Sequence, residues 1–119
     1  MSGTEIPPQI QEQLARLQQM QQTLQAVVTQ KQRLEIEMNE AERAVTELEK
    51  ITDQAPVYKM VGSIMVKAER QNLLTELKER KELLNTRVTV LAKQEERARN
   101  RVKEIQDDLQ QKLGPAGVK

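Results

Sequence analysis

Apolar residues recur at alternating steps of three and four over two long tracts, and one short β-branched segment separates them. The first tract carries Ile10, Leu17, Leu24, Met38 and Val45 at one heptad position and Met20, Val27, Leu34, Ala41 and Leu48 at the other. The second carries Leu74, Val88, Val102 and Leu109 at one position and Leu77, Leu84, Leu91, Ala98 and Ile105 at the other. A repeat of seven with two apolar positions keeps one stripe turned toward a partner helix, so each tract predicts a long helix with a coiled-coil seam. Gln13 and Lys31 interrupt the first seam, and Lys81 and Glu95 the second.

Prolines and glycines punctuate this pattern. Pro7 and Pro8 fit a helix's first turn, where a missing N–H costs nothing. Pro56 pushes Ala55 out of the α region and closes the first helix, predicted over 8–53. Residues 56–67 read as two short strands joined at Gly62-Ser63, a β-hairpin. The second helix is predicted over 68–113, stopped by Gly114-Pro115, with a flexible tail over 114–119. The expected fold is mainly α: one domain, 1–119, in which a long antiparallel two-helix coiled coil carries a single β-hairpin at its bend. Each helix would be about 65–70 Å long. Folding back brings Lys31 within about one turn of Glu95. An ion pair there would set the register, but long charged side chains escape a two-stranded seam easily, so the stronger expectation is that both reach water.

The hairpin lacks a polar face. Val57 and Val61 alternate with Tyr58 and Met60, and Ile64 and Val66 with Met65, so both faces are mainly apolar. A lone two-stranded hairpin is marginal in water, and its edges present unpaired backbone groups. Two helices leaving from one end do not cover two faces. The expectation is that hairpins from several subunits join edge to edge through Val57, Tyr58, Met60, Val61, Ile64, Met65 and Val66 into a closed or nearly closed sheet. The alternative is a hairpin folded down over its own helices.

Composition narrows the function classes. The 119 residues include one Tyr and no Phe or Trp, 31% charged residues and four each of Gly and Pro, which favours long exposed helices over a globular core. With no His and no Cys, Ser–His and Cys–His pairs, thiolate metal sites and disulfides are all excluded. There is no glycine-rich phosphate loop, and the carboxylates are spread along helices, so neither an enzyme nor a cofactor or metal site is expected. A net charge of +1 argues against a dedicated nucleic-acid binder. No apolar run reaches the length of about 18 residues that a membrane span needs, and the N-terminus lacks the features of a signal peptide. A soluble, cytoplasmic protein is expected. The locally basic segment from Lys93 to Lys103 is balanced by Glu95, Glu96 and Glu104 and reads as a solvated helix face rather than a docking site.

The segment Val57-Tyr58-Lys59-Met60-Val61-Gly62-Ser63-Ile64-Met65-Val66-Lys67, set between two long helices, resembles the linker hairpin of prefoldin β-type subunits. The resemblance covers essentially the whole chain, and room for only one hairpin matches the β type, since α-type subunits carry two. It implies a hexamer of two α-type and four β-type subunits, whose hairpins form a double β-barrel platform from which six coiled coils hang. It implies an ATP-independent holdase that grips non-native polypeptides at the distal tips and passes them to a group II chaperonin. The tips would then bind clients through Ile6, Ile10, Leu14, Leu17, Val102, Ile105, Leu109 and Leu113, exposed where the helix ends fray. Ordinary seam packing is the bland alternative for these residues. A structural coiled-coil tether or adaptor is the runner-up function, and an RNA-gripping arm a distant third.

Overall fold

The computed structural model describes residues 6–114. Two long helices, α1 (Pro8–Glu49) and α2 (Arg70–Leu113), flank an antiparallel hairpin of β1 (Val57–Val61) and β2 (Ile64–Ala68). This is the expected secondary structure and order. The chain packs as two compact units. One joins α1 up to Lys31 with α2 from Val90 onward; the other spans Gln32–Thr89 and contains the hairpin.

Local chemistry accounts for the element ends. The carbonyl of Pro7 accepts from the amides of Ile10 and Gln11, both at 3.0 Å, so Pro7 caps α1 and Pro8 takes its first helical position. The helix stops at Glu49, four residues short of the predicted Asp53. The amides of Lys50 and Ile51 bond three residues back rather than four, which tightens and ends the last turn. Arg70, at the start of α2, donates Nε–H to the same Leu48 carbonyl that the Ile51 amide reaches, at 2.7 Å, and a second N–H to Asp53 at 2.8 Å. One guanidinium therefore caps α1 and holds the connecting segment. That bond holds Asp53 below its usual carboxylate range, with a further hydrogen bond from Gln71. Strand β2 runs to Ala68, so α2 begins at Arg70 rather than at residue 68. At the far end the Gly114 amide bonds the Gln110 carbonyl at 2.8 Å with φ at +81°, a glycine C-cap. The rest of the predicted tail, 115–119, lies outside the described residues.

Every predicted seam position is buried or half-buried. In the hairpin-bearing unit the buried set is Leu34, Ala41, Val45, Val57, Leu74 and Leu84. In the other unit Ile10, Ile105 and Leu109 form the packed cluster, with Leu17 and Met20 against it.

Candidate functional site

In the hairpin, Val61 pairs with Ile64 across Gly62-Ser63, and Val57 pairs with Ala68 at the root. Gly62 has φ at +61° and Ser63 does not share the positive region, the signature of a type II′ turn, whose first central position favours glycine. Alternation then sorts the side chains. One face carries Val57, Lys59 and Val61 with Ala68, Val66 and Ile64. Its root is covered: Val57 is buried, Lys59, Val66 and Ala68 are half-buried, and the Lys59 ammonium reaches Glu76 of α2 at 3.4 Å. The other face carries Tyr58, Met60, Met65 and Lys67, all exposed. Tyr58, Met60, Val61, Ile64 and Met65 range from 50% exposed for Val61 to 66% for Met65. Burial of that apolar area in water-free contact is worth about 25 cal/mol per Å².

The predicted client contacts divide into two groups in the unit that carries the helix ends. Ile10, Val102, Ile105 and Leu109 are buried in the seam, Leu109 completely at 0% exposure, and Leu17 is half-buried. Ile6, Leu14 and Leu113 are exposed. A polar clasp lies beside the buried cluster. Gln13 donates its amide to Asp108, and Lys112 donates to the Gln13 oxygen at 3.2 Å and pairs with Asp108 at 3.2 Å. Hydrogen bonding by Gln13 and then Lys112 holds the Asp108 carboxyl below its usual range. Gln13, a polar interruption by sequence, thus ties the start of α1 to the end of α2.

The same unit corrects the expectation for Lys31 and Glu95. The ammonium sits 2.8 Å from Glu95 Oε1, and the side chains are only 23% and 15% exposed. Arg99 brackets the other oxygen, Nε at 2.9 Å and a terminal nitrogen at 2.8 Å. Hydrogen bonding from Lys31 and then from Arg99 lowers the Glu95 pKa against the opposing effect of burial. Lys31 stays in the seam because a doubly bracketed carboxylate awaits it there, a partner that the escape argument did not count.

No helix among the described residues is long and apolar enough to cross a membrane, and none of the described carboxylates cluster as metal ligands. The observation that decides the family is the sequence match. A profile described as "Prefoldin subunit" matches residues 11–116. The chain belongs to the prefoldin subunit family. It is 52% identical to prefoldin subunit beta of Methanothrix thermoacetophila over 96% of this chain and 94% of that one. To prefoldin subunit beta of Archaeoglobus fulgidus it is 46% identical, covering 93% and 96%. The crystal structure of the prefoldin beta subunit from Thermococcus strain KS-1 superposes with a TM-score of 0.84 at 41% identity, covering 93% of this chain and 97% of that one. Prefoldins are chaperones, and this chain is a chaperone subunit that assembles with other prefoldin subunits.

Four exposed apolar side chains, Ile36, Ile51, Leu83 and Val90, escaped the sequence reading. Ile36 and Leu83 lie outside both seams, on the helices of the hairpin-bearing unit. Their signal was available, since each is a large apolar residue off the heptad positions.

Proposed function

We propose that the chain is a β-type subunit of a hexameric prefoldin with two α-type and four β-type subunits, acting without ATP in the cytoplasm. Its hairpin joins neighbouring hairpins edge to edge in a β platform. The helix ends grip non-native polypeptides and release them to a group II chaperonin. The observation that carries the assembly reading is the exposed apolar face of Tyr58, Met60 and Met65, continued at the turn by Val61 and Ile64. Exposed apolar area of this kind on a strand with free edges is what a partner strand covers.

Client capture has two stages. Ile6, Leu14 and Leu113 supply first contacts without rearrangement. Ile10, Ile105 and Leu109 become available only when the helix ends part, at about 1.5–3 kcal/mol per side chain brought into water. A bound apolar segment restores that burial. Each tip therefore binds weakly, and several tips together raise avidity by about 100-fold or more. Release then needs no nucleotide.

The test mixes the chain with an α-type partner and measures mass by light scattering after sizing. A hexamer is expected; only monomer or simple dimer overturns the proposal. Tyr58→Asp with Val61→Asp is expected to abolish the hexamer while leaving the helical circular dichroism unchanged.

A further inference from the structure

The sulfur atoms of the chain are not distributed alike. Met20 and Met38 lie half-buried on the α1 seam, whereas Met60 and Met65 stand in the hairpin at 62% and 66% exposure. These two are also partners, Met60 of β1 pairing with Met65 of β2. The two-residue turn closes on Val61 and Ile64, so the next pair falls at a non-hydrogen-bonded position. Cα atoms approach to about 4.5 Å at such a position and the side chains lie close. Both thioethers therefore project side by side from the open face that also carries Tyr58. The other large aliphatic residues of the strands, Val57, Val61, Ile64 and Val66, are β-branched, as pleated strands favour. Methionine occurs in the hairpin only at this one opposed pair.

We propose that Met60 and Met65 form a peroxide-sensitive site that controls entry of the subunit into the complex: oxidised to sulfoxides in the free chain they block assembly, and once assembled they are shielded. The inference rests on the assembly reading above and adds a covalent control to the same face. In the reaction the sulfur lone pair attacks one peroxide oxygen. The S–O bond forms as the O–O bond breaks, a proton passes from the transferred oxygen to the departing one, and water leaves. The thioether is oxidised and the peroxide reduced. The product is polar and chiral, so it no longer suits an apolar contact. A sulfoxide oxygen enclosed by a partner strand without a donor weakens association by about ten-fold, and two side by side by on the order of 100-fold. The seam methionines do not stand in for this pair, because they are half-covered and lie in α1.

The full chain alone is treated with dilute hydrogen peroxide, the peroxide is removed with catalase, and the chain is then mixed with an untreated α-type partner. Peptide mass spectrometry locates the sulfoxides, and light scattering after sizing gives the dilution midpoint of the hexamer. Met60 and Met65 are expected to oxidise at least five-fold faster than Met20 and Met38. The midpoint of the doubly oxidised chain is expected to rise at least ten-fold, with the helical circular dichroism unchanged. Peroxide applied to the preformed complex is expected to oxidise the pair at least ten-fold more slowly than in the free chain. Met60→Leu with Met65→Leu keeps an apolar pair without sulfur, and its midpoint is expected not to move on peroxide treatment. An unchanged midpoint with both sulfurs oxidised overturns the inference and leaves the platform standing. So does an equal rise in the leucine variant, which puts the lesion elsewhere, or oxidation of the pair no faster than that of the seam methionines. Equal oxidation of the pair in the free chain and in a formed complex refutes both readings, and so does the absence of any hexamer from the untreated chain.

Discussion

Replacing Leu109 by Ala tests how firmly the helix ends are closed. Leu109 is fully covered, against Ile10 and Ile105, with Leu17 and Met20 packed on the cluster. The substitution removes three buried carbons, a transfer loss of about 2.4 kcal/mol at about 0.8 kcal/mol each. A cavity adds to that, but two helices close over a void more easily than a globular core does, so the total falls near about 3 kcal/mol. At about 1.4 kcal/mol per factor of ten, local opening becomes roughly 100-fold more frequent. Native-state hydrogen exchange reads this directly. Amides over 10–20 and 102–109 are expected to exchange roughly 100-fold faster, while those over 41–48 and 74–84 keep their protection, because they belong to the other compact unit. Acceleration under about three-fold, or equal acceleration across both units, refutes the reasoning. The same variant separates the two stages of capture. If opening limits client binding, the capture rate rises with exchange; if Ile6, Leu14 and Leu113 suffice, it does not move.

Two further outcomes follow from the ion cluster and the turn. Glu95 has a lowered pKa in the folded chain, so its contribution is present in full above its ordinary value of 4.5 and is lost as pH falls through the lower folded value. Melting temperature is expected to drop on acidification below about pH 4.5, and Glu95→Gln is expected to flatten that part of the profile while lowering stability at neutral pH, because the half-buried Lys31 ammonium loses the Glu95 carboxylate charge; an unchanged acid limb in the variant removes Glu95 from the account. Gly62→Ala meets no atom within 4 Å, so its cost is backbone strain alone, about 1–3 kcal/mol at φ +61°; the dilution midpoint of the hexamer is expected to rise at least five-fold, and a wild-type midpoint contradicts the turn assignment.

The helices and the hairpin are legible along the chain because their periods are local. A heptad seam needs only the steric fact that residues three and four apart share a helix face, and all its positions are covered. Pro56 and Gly62 likewise act through their own backbone torsions. What the chain order does not contain is which distant groups meet. The end of α1 at Glu49 depends on Arg70 donating to the Leu48 carbonyl, a bond across the whole hairpin. Lys31 stays inside because Glu95 and Arg99 are built around its position, whereas a stem-length argument sends it to water. The closed packing of Ile10, Ile105 and Leu109 arises only when two helices lie together, since burial is a property of the pair and neither strand of sequence carries it alone.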